Sequence, residues 1–156
     1  MQIIVDGYNF LLRGRKKGLL GASELERARE EVIRKHAVYA AARTVRVMLV
    51  FDGQNDAGPP ARIQSGKIRV IYSRPPENAD ALIKRLVQAE KQPRNTLVVT
   101  SDQPLARFVQ SCGAQLLSSE QWRHKLEQGR DADLQEKHGG SNDLDLDEWL
   151  QLFGEN

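Results

Sequence analysis

Four aspartates follow apolar segments of this chain, and their carboxylates are the side chains best suited to chemistry. Asp6, Asp52 and Asp102 each end a short apolar run, and Asp80 lies at the start of the helix predicted after another such run. The carboxyl ends of parallel strands meet at one edge of a sheet, so these carboxylates are expected to lie together. Like charges held close are unfavourable unless a cation neutralises them. The pattern therefore predicts a site for Mg²⁺ or Mn²⁺, which favour carboxylate and water ligands.

Each aspartate also has an ordinary structural explanation. Asp52 precedes a glycine, which is a common turn pair. Asp80 and Asp102 suit helix N-termini through capping and the helix dipole. Asp6 is harder to explain in this way, because Asp-Gly before an aromatic residue is a poor continuation of a strand or a helix. Their occurrence at equivalent strand ends favours one shared site over unrelated turn and cap residues.

Three polar residues near the aspartates are candidates for supporting roles. Glu77 lies one helical turn before Asp80 and would extend the acidic cluster, although an acid at a helix N-terminus needs no further explanation. Asn9 and Ser101 are expected to hydrogen-bond a carboxylate or a phosphate, as residues around metal ligands often do. Lys84 lies four residues after Asp80, so an ordinary helical ion pair is the simplest expectation for it.

Alternating strands and helices are predicted to position these residues. Almost wholly apolar runs, typical of strands buried on both faces, indicate a mostly parallel sheet covered by helices on both sides. The third strand alternates basic and apolar residues, which suggests a position at the edge of the sheet. Strands are expected at residues 2–6, 45–51, 67–73, 95–101 and 114–117, with a loop over residues 54–66.

Capping-box patterns predict where two of the helices begin. The first, Ser23–Glu26, opens a helix that is expected to run to about Ala42, and the second, Ser118–Gln121, opens one to about Glu127. His36 lies on the apolar stripe of the first of these helices. A hydrogen-bonded packing role is the expectation for His36, rather than a role as a ligand.

Charge is distributed unevenly along the chain. Residues 1–130 hold 22 basic and 13 acidic residues, a net charge of +9, whereas residues 131–156 hold eight acids and one base. A basic body favours a polyanionic partner. A glycine-rich basic loop with Arg13, Arg15, Lys16 and Lys17 follows Asp6, and it is expected either to hold phosphates near the site or to be a solvated connector. Together with Arg74 after the third strand, these residues are the candidates for holding a nucleic-acid backbone.

The chain is expected to form one domain over residues 1–128, followed by an acidic tail over residues 129–156. A short helix at residues 143–153 of the tail would dock through apolar side chains, namely Leu146, Trp149, Leu150 and Phe153.

No apolar run approaches the roughly 20 residues needed to cross a membrane. The single cysteine excludes an intrachain disulfide. Together with the lack of a signal-peptide pattern, this makes the cytoplasm the expected location.

Four short motifs resemble those of the YacP-like NYN-domain family, within the PIN-like nucleases. The motifs are Asp6-Gly7-Tyr8-Asn9, Val50-Phe51-Asp52, Glu77-Asn78-Ala79-Asp80 and Thr100-Ser101-Asp102, and the resemblance covers about residues 1–128. It implies a three-layer α/β/α fold whose five-stranded sheet has the order 3-2-1-4-5. It also implies a metal-dependent endoribonuclease, with metal held at the positions of Asp6, Asp80 and Asp102 and with a contribution from Asp52.

Two features depart from that family. Asn78 stands where relatives often carry threonine, and a short acidic tail replaces the strongly basic extension associated with the family. The first departure leaves the proposed metal site intact. The second raises the question of how RNA is held.

The leading hypothesis is a Mg²⁺- or Mn²⁺-dependent endoribonuclease acting in RNA decay or processing through a site of four aspartates: Asp6, Asp52, Asp80 and Asp102. The alternative is a non-catalytic RNA- or ribosome-binding module on the same fold, which would bind RNA without cutting it. A third hypothesis is a phosphate-transferring or phosphatase domain on a receiver-like α/β scaffold, with Asp52 as the residue that would be phosphorylated. Against the third, the fifth strand ends in Leu117-Ser118-Ser119, without the lysine that such a site would need.

Overall fold

A computed structural model describes residues 1–12, 20–53 and 62–136 of the chain, in which strands and helices alternate. The elements are β1 (Gln2–Asp6), α1 (Gly7–Leu12), α2 (Ala22–Ala41), β2 (Arg46–Phe51), β3 (Arg62–Ser65), β4 (Ile68–Tyr72), α3 (Ala79–Ala89), β5 (Thr96–Val99), α4 (Gln103–Ser111), β6 (Gln115–Leu117) and α5 (Ser119–Glu136). None of the helices formed by these residues has the length and apolar character needed to cross a membrane.

The sheet has the order β3-β4-β2-β1-β5-β6. All neighbours from β4 to β6 pair in parallel, so these five strands form the predicted parallel sheet of order 3-2-1-4-5, with helices on both sides. In the register of the central strands, Asp6 lies opposite Val50 of β2, while Val5 lies opposite Val99 of β5. Asp6 therefore ends the central strand, where the order of the strands reverses direction along the chain.

Alternating side chains of the central strands build two separate cores. Ile3, Val5 and Phe51 belong to the core beneath α1, α2 and α5, whereas Ile4 and Val50 belong to the core beneath α3 and α4. All five side chains are fully buried. Because both faces of the strands are covered by helices, the strands read as nearly continuous apolar runs.

The predicted loop over residues 54–66 is wrong in part, since Arg62–Ser65 forms β3. This strand pairs antiparallel with β4, and Ser65 lies opposite Ile68 across a two-residue connection. Gly66 in that connection has a φ of +57°, a conformation that glycine adopts without steric cost. The strand predicted at the sheet edge is consequently covered on its outer side by β3. The short, mostly polar strand gave little periodic signal in the sequence.

The capping-box predictions differ in outcome. The helix predicted to start at Ser23 begins one residue earlier, after Gly21, and no side chain caps it. The box at Ser118 and Gln121 is formed: the Ser118 N–H donates to Gln121 Oε1 at 2.9 Å, and the Gln121 N–H donates to Ser118 Oγ at 3.1 Å. The helix that follows runs to Glu136, beyond its predicted end and across the expected domain boundary. Residues 137–156, which include the predicted docking helix, lie outside the described residues.

The expected packing role of His36 is confirmed. Its ring is fully buried, and Nδ1–H donates to the Val32 carbonyl at 2.7 Å. Nε2 accepts a hydrogen bond from Trp122 Nε1–H at 2.8 Å. Both ring nitrogens are satisfied by this one neutral tautomer, so the histidine joins α2 to α5.

Gly7→Ala is expected to lower the free energy of unfolding by about 1–3 kcal/mol, because of overpacking. A Cβ at Gly7 would lie 2.5 Å from the Phe51 ring and 2.8 Å from the Val50 carbonyl oxygen, and backbone cannot easily yield. Gly21→Ala is the control for added bulk, since a Cβ there meets nothing within 4 Å, and at this helix N-cap it should cost less than about 1 kcal/mol. Urea unfolding of both variants measures the difference, and equal losses would contradict the close-approach explanation.

Candidate active site

Asp6 occupies the junction between the central strand and the first helix. The Asn9 backbone N–H donates a hydrogen bond to the Asp6 carboxylate, so Asp6 caps α1. Thr100, at the end of the neighbouring β5, donates from Oγ1 to Asp6 Oδ2 at 2.9 Å. The strand does not continue past Asp6, as expected, but a helix begins directly after it, so Asp6 also has a structural role at this junction. A catalytic role must be argued from its surroundings instead.

Those surroundings disfavour negative charge on Asp6. Burial is the largest influence and raises the pKa of its carboxyl from 3.8 to about 6, against the lowering effect of the Thr100 hydrogen bond. The negative charges of Asp102 and Asp80 raise the pKa further, and the Asn9 N–H lowers it. A partly enclosed carboxylate with two like charges nearby is stabilised by a cation.

Asp102 and Asp80 each begin a helix on the same side of the sheet. Asp102 caps α4, where its Oδ2 accepts from the Leu105 N–H at 3.0 Å, as predicted. Its own N–H donates to Thr100 Oγ1 at 3.1 Å, so one hydroxyl links Asp6 with Asp102. Asp80 lies in the first turn of α3 and pairs with Lys84 at 3.2 Å, the helical pair expected from their spacing.

Asp52 is held at the end of β2 by a serine that sequence reasoning passed over. Ser73 is buried and donates from Oγ to Asp52 Oδ1 at 2.9 Å, while the Gly53 N–H donates to Ser73 Oγ at 3.1 Å. The structure places Asp80 and Asp102 within electrostatic range of Asp6, and Asp52 lies two residues beyond Val50, the residue opposite Asp6 in β2.

Asn9 and Ser101 stabilise the backbone around the carboxylates. Asn9 Oδ1 accepts from the Ser101 N–H at 2.8 Å and from Ser119 Oγ at 2.7 Å. Ser101 Oγ accepts from the Ser119 N–H at 3.0 Å. The expected bonds from these side chains to a carboxylate are replaced by a network that joins α1, the β5–α4 connection and the start of α5. Ser119 was missed because its partners lie up to 110 residues away in the chain.

The remaining predicted residues lie apart from the aspartates or outside the described residues. The Arg85 guanidinium donates two hydrogen bonds to the Glu77 carboxylate, at 2.9 and 3.1 Å. This ion pair explains the position of Glu77 without a role in the acidic cluster. Arg74 is exposed just after β4, consistent with an accessible cation near the strand ends. The basic loop residues Arg13, Arg15, Lys16 and Lys17 fall in residues 13–19, which are not described.

The aspartates fit a divalent cation only with water completing its coordination. Among the described residues, no three His, Cys, Asp or Glu side chains are close enough to hold a metal ion together. Mg²⁺ usually keeps several waters and takes one or two carboxylates directly. The arrangement of Asp6, Asp80 and Asp102 suits that mode, and it does not suit a cage made of protein ligands alone.

A cavity of about 420 Å³ lies on the other face, between α1, α2 and α5. Phe10, Val32, Tyr39 and Leu126 are among the residues that line it, and none of the four aspartates does. The case for an active site therefore depends on the electrostatics at the strand ends and not on this cavity.

Comparison with known proteins gives matches over most of the chain. The family model for the YacP-like NYN domain matches residues 3–148. A Bacillus subtilis (strain 168) protein, described as uncharacterized protein YacP, is 33% identical over 87 residues. That match covers 56% of this chain and 51% of the relative, about half the relative's length.

Two solved structures also match. The crystal structure of Rae1 (YacP) from Bacillus subtilis has a TM-score of 0.68 at 28% identity, covering 88% of this chain and 80% of that one. A tryptophan-to-leucine variant of the same protein has a TM-score of 0.68 at 27% identity, covering 99% and 94%. The fold and the family model thus agree over the region that contains all four aspartates.

Proposed function

Because the chain belongs to the YacP-like NYN domain family, a family of PIN-like, nuclease-type domains, we propose that it is a metal-dependent endoribonuclease. The observation that carries the proposal is the state of Asp6. This carboxylate ends the central strand, is partly enclosed, and has its pKa raised to about 6 by burial and by the charges of Asp102 and Asp80. A protein gains nothing in stability from such a cluster, so a role with a cation is its best explanation.

In this proposal Asp6, Asp80 and Asp102 hold Mg²⁺ or Mn²⁺, directly or through water, and Asp52 adds negative charge at the same edge. The cation would neutralise charge on the phosphodiester and lower the pKa of a water. Thr100 orients the Asp6 carboxylate and fixes the backbone of Asp102 with the same hydroxyl.

Neighbouring residues keep these carboxylates in place. The network of Asn9, Ser101 and Ser119 prevents the β5–α4 connection from moving relative to α1. Lys84 offsets the charge of Asp80 at a distance of 3.2 Å, on a side chain that is about one-third exposed. We propose that Lys84 turns to a phosphate when a cation takes its place beside Asp80.

RNA is the proposed substrate, and the ribosome is a possible context for it. The basic body of the chain favours a polyanion. We propose that the RNA backbone is held by Arg74 and by the basic residues of the predicted loop, namely Arg13, Arg15, Lys16 and Lys17.

Cleavage is expected to require a divalent cation. End-labelled structured and unstructured RNAs, incubated with the purified chain and Mg²⁺ or Mn²⁺, should give internal fragments. Removal of the metal with EDTA should stop fragment formation, and excess metal should restore it, because the cluster without a cation repels phosphate. Cleavage that persists after metal removal would contradict the proposal.

A non-catalytic RNA- or ribosome-binding module is the second candidate. It is favoured by one observation, that the described residues do not hold three metal-binding side chains in direct coordination range. Salt-sensitive RNA binding without cleavage under any divalent cation would support this candidate and overturn the endoribonuclease. The same set of incubations therefore separates the two.

A further inference from the structure

Arg29 of α2 lies near the strand ends, on the side of the sheet opposite α3 and α4. Its side chain is half-buried, and Nη1 donates to the Tyr8 hydroxyl at 2.9 Å. The Arg29 Cζ also lies 6.0 Å from the centroid of the Tyr72 ring. Within residues 1–12, 20–53 and 62–136, no carboxylate forms an ion pair with Arg29. Among the described residues, the Tyr8 hydroxyl accepts one of the several N–H groups of this guanidinium, and Glu26 acts on it through its charge, so further N–H groups can donate to a ligand.

Three aromatic residues at the strand ends support this guanidinium. Tyr8 contacts Phe51 edge-on with ring centroids 5.0 Å apart, and Phe51 stacks on Tyr72 at 5.7 Å. Phe51 is fully buried, so it anchors the other two rings. A cation near an aromatic face gains electrostatic stabilisation. The guanidinium is thus held in position before any ligand arrives.

The position of this cluster relative to the aspartates suggests what it binds. Tyr8 follows Asp6 by two residues, and Phe51 immediately precedes Asp52. Phe51, Tyr8 and Tyr72 pack in the core beneath α1 and α2, whereas Asp80 and Asp102 begin the helices that cover the opposite face. The aromatic cluster and these carboxylates therefore lie on opposite sides of the same sheet edge. A polyanion that crosses the edge to reach Asp6 would pass Arg29.

We propose that Arg29, held by Tyr8 and Tyr72, binds a phosphate of the RNA strand beside the scissile one. The inference rests on the proposed function. A planar guanidinium can donate two parallel hydrogen bonds to a phosphate, which also fixes the orientation of the strand. Tyr8 and Tyr72 are positioning residues, because they act through the guanidinium. Arg29 is not one of the basic residues that the sequence predicted to hold RNA.

The test compares Arg29→Gln with Arg27→Gln in RNA binding without metal. Arg27 is exposed and only two residues away on α2, so it points to a different side and its loss changes the net charge equally. Binding of a single-stranded RNA is measured in EDTA over a range of salt concentrations. Arg29→Gln is expected to weaken binding about tenfold at low salt and to reduce the salt slope by about one, while Arg27→Gln changes affinity less than about twofold.

Two further variants test the geometry of the grip. Arg29→Lys keeps the positive charge but loses the planar guanidinium that donates two parallel hydrogen bonds. Its RNA affinity is therefore expected to lie between those of Arg29→Gln and the wild type. Tyr8→Phe keeps the ring contact with Phe51 and removes the hydroxyl, so it should weaken binding less than Arg29→Gln. Thermal unfolding of each variant checks that the fold is intact. If Arg29→Gln does not fold, the RNA affinities of Arg29→Lys and Tyr8→Phe relative to the wild type decide the result.

The outcomes separate this inference from the proposed function. Wild-type protein that cleaves RNA, together with equal affinities for Arg29→Gln and Arg27→Gln, would overturn the phosphate grip and leave the nuclease standing. Full affinity in both Arg29→Lys and Tyr8→Phe would also overturn it. Wild-type protein that fails to bind RNA at all would overturn both.

Discussion

Asp6→Asn is expected to abolish metal-dependent RNA cleavage and at the same time to make the metal-free protein more stable. Asparagine has the shape of aspartate and still accepts the hydrogen bond from Thr100, but it has no charge to bind a cation. It also removes an enclosed negative charge that faces those of Asp80 and Asp102. The pKa of Asp6 rises from 3.8 to about 6, so the gain at pH 7 should be about 1–3 kcal/mol.

The sign of the pH dependence follows from the raised pKa. Asp6 in the folded protein binds its proton more tightly than in the unfolded chain. Its contribution to stability is therefore fully present below pH 3.8 and is lost as the pH rises through about 6. The difference in unfolding free energy between Asp6→Asn and wild type should accordingly grow between pH 4 and pH 7.

Asp131→Asn provides the matched control for this prediction. Asp131 is exposed on α5, and its change to asparagine removes the same charge far from the strand ends. Its effect on stability should stay within about 0.5 kcal/mol, and its cleavage rate should equal that of the wild type. Urea unfolding in EDTA and a cleavage assay in Mn²⁺ are the two measurements. An Asp6→Asn protein that still cleaves, or that is less stable than wild type, would refute the assignment.

Acidification is expected to destabilise the protein through His36. Burial lowers the pKa of this histidine from 6.5 to about 4, against a raising effect of its bond to Val32 and with a small lowering effect of Lys35. Protonation would also place a second N–H against the Trp122 Nε1–H that now donates to Nε2. The neutral ring is therefore required for the link between α2 and α5.

The pH range of this effect is set by the pKa of His36 in the unfolded chain and its pKa in the folded protein. The unfolded chain binds a proton below about pH 6.5, whereas the folded protein resists it to about pH 4. The contribution of His36 is thus fully present above pH 6.5 and is lost as the pH falls toward 4. The expected loss is about 2 kcal/mol between pH 7 and pH 5.

His36→Gln and His124→Gln isolate this contribution. Glutamine keeps a donor and an acceptor but does not titrate, so His36→Gln should lose the pH-dependent part of the destabilisation even if it is less stable throughout. His124 is exposed, and His124→Gln should retain the wild-type profile. Because Asp6 acts in the opposite direction over the same pH range, the quantity to compare is each variant's difference from wild type. Parallel profiles for wild type and His36→Gln would contradict the prediction.

Much of the fold was predictable because its signals are local. The apolar runs that end in aspartate predicted the parallel strands, and the resemblance to a known family implied their order. Asp102 as a helix cap and the Ser118–Gln121 box are contacts within four residues. Such contacts depend on spacing along the chain, which the sequence states directly.

Other features could not be predicted because they depend on contacts that the local sequence pattern does not show. The Ser23–Glu26 box is absent because α2 begins earlier, after Gly21. β3 is too short and polar to show a pattern, and its pairing with β4 supports it. The helix directly after Asp6 is made possible by the close approach of Gly7 to Phe51, a contact across 44 residues that no local pattern reveals.

The sequence by itself determined the types and order of the candidate site residues: four aspartates at strand or helix ends, with Asn9 and Ser101 beside them. Only the tertiary structure decided which of them share one environment. Thr100 donates a hydrogen bond to Asp6, 94 residues away in the chain. Ser73 donates one to Asp52, and Arg85 donates to Glu77. The placing of Arg29 on Tyr8 and Tyr72 was likewise decided by packing. Residue types are encoded one by one, but enclosure and the nearness of like charges exist only once the sheet has brought distant segments together.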